Sequence, residues 1–327
     1  MNNFARFVLD SPTRLVCPIV SYPELSVPGI SAHEIVTRAE AQVAAQAALF
    51  ERYQSAVVMA CMDLSVEAEA FGSAIQVSAH EAPTVVGRLV SDRASIDALK
   101  VPNLGAGRTN VALEAAKRLK ELPGPRFALG SCIGPLSLAA RLFGTQETLE
   151  LSLSDPPLLH AVLEKCTRFL EGYLAAFKAR GADGVFVCEP VAGLLSPSQM
   201  RYVKRISVLA DDGFALVLHD CAAKLVHLTA RLDSGATMFH FGAPMQMQTA
   251  LERVPPEVVL WGNLDPFGVF TQLTPEQIAT RTRALLHETK GHANFVLSSG
   301  CDVPPATPLT KLDALFEASR QFEGDAN

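Results

Sequence analysis

Short apolar runs alternate along the chain with longer stretches of helical periodicity. The runs occupy positions 55–62, 127–131, 185–188, 214–219, 237–241, 258–261 and 294–298. Runs of this length without polar alternation predict strands buried on both faces, as in a parallel sheet covered by helices. Between them, 33–53 places Ile35, Val36, Ala39, Val43, Ala47 and Phe50 on one helical face. Further helices are predicted over 110–121, over 146–180 with a break at Asp155-Pro156-Pro157, and over 223–232, 246–253, 274–289 and 308–322. Ser196-Pro197 and Thr274-Pro275 each supply the capping hydroxyl and first-turn proline that open a helix. Residues 1–32, broken by Pro12, Pro18, Pro23, Pro28 and Gly29, read as an irregular lead-in with a short strand over 15–20. Positions 64–110 read as a long irregular excursion carrying Glu67, Glu69 and Glu81, and 130–135 as a turn.

Strands of this kind alternating with helices make βα units. The expected fold is α/β, a (β/α)8 TIM barrel forming a single domain over 33–327, preceded by the 1–32 segment. An open doubly wound sheet would usually carry a glycine-rich dinucleotide turn after its first strand, and the sequence has none there. In a barrel, functional side chains collect where the strands end. Asp63, Cys132, Glu189, His219, Cys221, Asp265 and Cys301 all fall at or just beyond predicted strand ends.

Composition narrows the classes. A chain of 327 residues, 49% hydrophobic and 19% charged, has the material for a sizeable core. Its net charge of -6 gives no basic footprint for nucleic acid. No window of about 18 apolar residues suggests a membrane span, and Met1-Asn2-Asn3-Phe4-Ala5-Arg6 lacks the pattern of a signal peptide, so the chain reads as cytoplasmic. Its 7 cysteines are scattered, without the dense spacing of a disulfide framework, and read as thiols.

Two of those thiols and one imidazole suggest a metal. In a strand, residues two apart face the same way, so His219 and Cys221 are able to share one ion, and Cys301 follows another predicted strand. Zinc accepts imidazole and thiolate ligands, and catalytic zinc keeps one position for water or substrate. The paired Cys-x-x-Cys hairpins of structural zinc are absent from the sequence. The same residues also read as a hydrogen-bonded core histidine and two small buried thiols. Glu189 reads as a fourth ligand, as an acceptor for the other nitrogen of His219, or as a loop acid. Asp220 points away from its two neighbours and reads as structural. A zinc with two thiolates suits binding of a third thiol, because a coordinated thiol is deprotonated and remains nucleophilic. The His-Glu-x-x-His pattern of peptide hydrolysis is missing.

Several longer motifs point further. They are Met62-Asp63-Leu64-Ser65-Val66-Glu67-Ala68-Glu69-Ala70-Phe71-Gly72; Gly134-Pro135-Leu136-Ser137 with Leu142-Phe143-Gly144; and Glu189-Pro190 leading to Leu195-Ser196-Pro197. To these are added His219-Asp220-Cys221, Gly262-Asn263-Leu264-Asp265-Pro266, and Ser299-Gly300-Cys301-Asp302-Val303-Pro304-Pro305 with Thr307-Pro308. Over about 57–322 the chain resembles the uroporphyrinogen decarboxylase superfamily, and within it the zinc-dependent methylcobamide:thiol methyltransferases.

That resemblance implies zinc held by His219, Cys221 and Cys301, with Glu189 as a fourth ligand that a substrate thiol replaces. It implies methyl transfer from methylcobalamin, presented by a separate corrinoid protein, to a small-molecule thiol such as coenzyme M. Asp63 falls where the decarboxylases keep a central aspartate, and would orient substrate or line the mouth. Three alternatives stand beside this reading. One is a demethylase passing a methyl group from an aryl methyl ether or methylamine to a corrinoid protein. Another is a decarboxylase of the uroporphyrinogen type, and the third is a binding module with a structural metal. The decarboxylases carry an arginine-rich N-terminal segment for substrate carboxylates, whereas Arg14-Leu15-Val16-Cys17-Pro18-Ile19 offers one arginine, which disfavours a tetrapyrrole rich in carboxylates.

Overall fold

The computed structural model describes residues 1–22, 29–79, 81–194 and 197–324. Its strands are β1 (Val57–Met59), β2 (Ala74–Gln76), β3 (Thr84–Val86), β4 (Phe127–Ile133), β5 (Gly184–Cys188), β6 (Ala215–Asp220), β7 (Met238–Phe241), β8 (Val259–Leu264) and β9 (Phe295–Ser299). β2 and β3 form a small antiparallel pair, while the other seven make one sheet in the order β1-β4-β5-β6-β7-β8-β9. Every pairing in that sheet is parallel and joins strands consecutive within it. Helices fill the crossovers, among them Thr109–Lys120, Pro156–Ala179, Met200–Ser207 and Pro275–Glu288. Steady addition on one side curls a twisted sheet rather than spreading it.

The space between the two sheet edges is taken by residues 15–21. Val16 bridges Leu297 of β9 in parallel. Cys17 N donates to Leu297 O and Leu297 N donates to Leu15 O, each at 2.9 Å. Pro18 has no N–H with which to extend this ladder. Toward β1 the contacts pass through side chains: Ser55 Oγ donates to Val16 O at 3.1 Å, and Ser21 Oγ accepts from Met62 N at 2.9 Å. The short strand expected over 15–20 is therefore a single bridge, with no backbone ladder onto β1 among the described residues.

Side chains alternate across the sheet. Phe186, Cys188, Val217, Met238, Trp261 and Val296 face inward, where Phe4, Ala5 and Val8 of the helix Asn3–Asp10 join them. Val187, Leu216, Leu218, Phe239, Phe241 and Leu260 face outward into the helical layer. Phe4 stacks on Phe127 at 4.3 Å and meets Trp261 edge-on at 5.6 Å, closing the interior at the end where the strands begin.

Several sequence expectations need correction. The lead-in is not irregular throughout: Asn2 caps the helix Asn3–Asp10 by accepting from Phe4 N at 2.9 Å, and Ser31 opens the helix Ala32–Thr37 with a capping box. Asn3–Asp10 fits ahead of the first proline, Pro12, and Ala32–Thr37 is the first part of the helix expected over 33–53, which extended backbone at Arg38 divides from Ala39–Tyr53. Pro23 and Pro28 lie outside the described residues, as do Leu195 and Ser196, the cap expected for the helix that follows. The 64–110 excursion holds the helices Val66–Phe71 and Arg93–Ala98 and the β2–β3 pair. The turn expected over 130–135 is strand up to Ile133, and Pro135 opens the helix Pro135–Phe143. Among the described residues, no helix is long and apolar enough to cross a membrane.

Candidate metal centre

β6 and β9 carry the residues of the centre. His219 faces inward one residue before the end of β6, and Cys301 lies two residues beyond the end of β9. The ligand atoms of His219, Cys221 and Cys301 all lie within 4.8 Å of one another. His219 Nε2 stands 3.5 Å from Cys301 Sγ. Among the described residues this is the one such convergence of three or more histidine, cysteine or carboxylate side chains. His219 is buried and the two thiols are partly exposed, so the cluster opens toward solvent through its sulfurs.

Asp220 and Gly242 place Cys221. The Asp220 side chain faces outward, where its Oδ2 accepts from Arg231 Nε at 2.7 Å, and both residues are buried. Its Oδ1 accepts from Ala222 N at 3.1 Å, fixing the turn that carries Cys221 back to the cluster. Below that turn the loop after β7 packs directly on backbone. A Cβ on Gly242 would lie 2.1 Å from Cys221 O and 2.8 Å from its Cα, so only glycine fits.

A chain of hydrogen bonds runs inward from the imidazole. His219 Nδ1 lies 2.8 Å from His240 Nδ1, His240 Nε2 lies 3.1 Å from Ser298 Oγ, and Ser298 Oγ donates to Cys17 O at 2.7 Å. Phe186 stacks on the His219 ring at 5.3 Å and meets His240 edge-on at 5.2 Å, walling the pair on one side.

The two sulfurs share a proton unevenly. The neighbouring Cys301 thiol holds Cys221 well below the usual thiol range, while the Cys221 sulfur and burial drive Cys301 up. Burial raises Cys17, Cys61, Cys132, Cys166 and Cys188, which pack as small apolar groups. The cysteines thus divide into five inert thiols and one adjacent pair that already favours a thiolate. An imidazole with two converging sulfurs is a donor set that suits zinc.

Glu189 is placed differently from this trio. Its Oε2 accepts from Leu136 N at 3.0 Å, and its Oε1 accepts from Ser137 N at 2.6 Å and Ser137 Oγ at 2.5 Å. The carboxylate therefore caps the helix Pro135–Phe143, where the helix dipole favours a negative charge, and its oxygens are not among the converging atoms. Burial outweighs those hydrogen bonds and raises it to about 7. Its backbone does touch the centre, because Glu189 N donates to His219 O at 2.7 Å.

Asp63 is also engaged. It pairs closely with Arg108 and accepts from Ser65 N at 3.0 Å and Ser65 Oγ at 2.6 Å. Arg108 in turn donates to Glu69 Oε2 and to Ser65 Oγ, each at 2.7 Å. Cys132 faces the helices, and Asp265 accepts from Phe267 N at 2.9 Å in an exposed turn. Sequence reasoning missed Arg108 and His240. Arg108 lay at the far end of the 64–110 excursion, where the sequence reading singled out only acids. His240 carried a signal, a histidine within the apolar run 237–241, in register beside His219 on the neighbouring strand.

Arg14 serves the opposite end of the sheet. Its Nη1 donates to His292 O at 2.6 Å and Phe295 O at 2.9 Å, and its Nη2 to Thr289 O at 3.2 Å. These carbonyls lie where β9 begins, away from the cluster beyond its end.

Known proteins share this arrangement of strands. A methyltransferase from Methanosarcina mazei superposes with a TM-score of 0.86 at 25% identity, covering 97% of each chain. Methylcobamide:CoM methyltransferase MtbA of Methanosarcina acetivorans is 27% identical over 271 residues, covering 80% of this chain and 78% of its own length. The uroporphyrinogen decarboxylase of Sorangium cellulosum is also 27% identical, over 270 residues, 78% of this chain and 75% of its own. The family model for uroporphyrinogen decarboxylase (URO-D) matches residues 19–322, a span that takes in the whole parallel sheet and all three residues of the cluster. The chain belongs to that family.

Proposed function

We propose that this chain is a zinc-dependent methyltransferase that moves a methyl group from methylcobalamin, carried on a corrinoid protein, to a thiol such as coenzyme M. The observation that carries the reading is the convergence of one imidazole and two sulfurs within 4.8 Å. Likeness to methylcobamide:CoM methyltransferases over most of the chain supports it. His219 Nε2, Cys221 Sγ and Cys301 Sγ would hold the ion. Zinc, when bound, supplies a Lewis acid that keeps a substrate thiol deprotonated and nucleophilic near neutral pH.

The chain's own residues do the rest. Phe186 covers the His219 ring and keeps water from its inner side. Asp63, Arg108, Ser65 and Glu69 form a cross-linked wall at the end of β1, which we assign to orienting substrate. Glu189 would join the ligand set by giving up its hydrogen bonds to Leu136 and Ser137. We read the architecture as a (β/α)8 barrel whose eighth staff is residues 15–21. A tetrapyrrole decarboxylase is disfavoured because Arg14, the arginine of that segment, is spent on the carbonyls where β9 begins.

The test is metal analysis of wild type and Cys221→Ala together with methylcobalamin demethylation assayed across several thiols. Wild type is expected to hold zinc and turn over with a thiol acceptor, and Cys221→Ala to lose both. Full zinc and full activity in Cys221→Ala would sink the proposal.

A further inference from the structure

We infer that His240 is a positioning residue of the metal centre: with Ser298 and the Cys17 carbonyl it fixes the tautomer of His219, leaving Nε2 a bare lone pair facing the two sulfurs. The inference rests on the zinc reading and names a residue that acts on zinc only through another.

The Cys17 carbonyl sets the direction of every hydrogen bond in the chain that leads to His219. A carbonyl oxygen only accepts, so the 2.7 Å contact between Ser298 Oγ and Cys17 O takes the Ser298 hydroxyl proton. Ser298 Oγ therefore turns a lone pair toward His240 Nε2 at 3.1 Å, and that ring nitrogen must carry the hydrogen. The His240 ring is fully buried, with Phe186 at 5.2 Å and Trp261 at 6.2 Å, an environment that holds an imidazole in its neutral form. With one hydrogen on Nε2, His240 Nδ1 is an acceptor. It lies 2.8 Å from His219 Nδ1, which must then be the donor. The remaining nitrogen of His219, Nε2, is left without a proton at 3.5 Å from Cys301 Sγ.

The opposite tautomer would aim an N–H at the sulfurs and remove a ligand from the trio. His240 thus does more than fill space between β6 and β8, because the direction of its hydrogen bond decides whether His219 coordinates. The reference point of the chain is a carbonyl of residues 15–21, the segment between the sheet edges. Partners of this kind on a ligating histidine commonly change metal affinity by about 10–100-fold when removed.

Ring 15N–1H spectra of the metal-free protein, followed by zinc competition against a chromophoric chelator, test the inference. The spectra are expected to show His219 protonated at Nδ1 and His240 at Nε2. His240→Phe keeps an aromatic ring but removes the acceptor, and zinc affinity is expected to fall about 10–100-fold. His240→Asn returns an acceptor oxygen near the Nδ1 position, and should recover most of that loss. Urea unfolding of each metal-free variant separates a local effect from a loss of fold. An Nε2-protonated His219 in wild type overturns the inference, as does a folded His240→Phe that binds zinc as tightly as wild type while wild type does bind it. A wild-type protein that binds no zinc sinks the zinc reading itself and the positioning role with it, which is a different result from either of those.

Discussion

Glu67→Gln isolates the energetics of one buried carboxyl on the helix Val66–Phe71. Glu67 is buried, its Oε1 accepts from Ile133 N at 3.2 Å, and its Oε2 has no hydrogen-bond partner. Burial, partly offset by backbone hydrogen bonds, raises it from 4.5 to about 8. At about 1.4 kcal/mol for each factor of ten, that displacement corresponds to about 5 kcal/mol. Because the folded value is raised, the folded state holds a proton that the unfolded chain releases. The associated stability is fully present below 4.5 and is lost as pH rises through about 8. Glutamine keeps the acceptor for Ile133 and removes the titration. Urea unfolding of the metal-free proteins should show wild type losing about 1.4 kcal/mol per pH unit more than Glu67→Gln across that window. By about pH 8 the variant should be the more stable protein. Glu189 and Asp302, each raised to about 7 by burial, titrate in both proteins and cancel in the difference. Parallel stability curves for the two proteins would refute the reasoning.

Other parts of the molecule make equally direct demands. Gly242→Ala forces a Cβ to within 2.1 Å of Cys221 O, so it should cost about 1–3 kcal/mol in unfolding experiments and weaken zinc binding in chelator competition, and an unchanged zinc affinity would contradict the packing account. Asp220→Asn leaves the buried Arg231 without its countercharge, and a loss of about 3–5 kcal/mol by urea unfolding is expected. Phe4→Ala empties the inner plug against Phe127 and Trp261, and should lower stability by about 3–5 kcal/mol in the same measurement.

Much of this molecule was legible because its strands are buried on both faces and its helices are amphipathic. The runs at 214–219, 237–241 and 294–298 became β6, β7 and β9 nearly residue for residue. The apolar run at 55–62 was less faithful, since only Val57–Met59 pairs as strand, and Cys61 N and Met62 N turn to the side chains of Gln42 and Ser21. The three residues of the cluster were legible as His-x-Cys and a distant Cys at strand ends. Their chemistry is unusual for a core, whereas a helix such as Asn3–Asp10 has no marker beyond one capping asparagine. Glu189 shows the limit of motif reading. Its position after β5 singled it out, yet folding brings the helix after β4 against it, and that helix claims both of its oxygens.

Convergence at the centre is a property of curvature rather than of sequence spacing. β6 and β9 are three steps apart in the sheet, and in a flat sheet three steps of about 4.8 Å would part their axes by about 14 Å. Yet His219 Nε2 and Cys301 Sγ stand 3.5 Å apart. Inward-facing side chains on a curled sheet close that gap, and the curl is held where residues 15–21 bridge β9 and reach Ser55 and Met62 through side chains. The same segment supplies Cys17 O to Ser298, which faces His240 and through it His219. One stretch of backbone thus sets both the distance between the ligands and the proton on one of them. The sulfurs, by contrast, stay at the open end of the cluster, where a substrate thiol would have to arrive. Rigidity on the imidazole side and access on the sulfur side are what a centre that exchanges one ligand with each turnover requires.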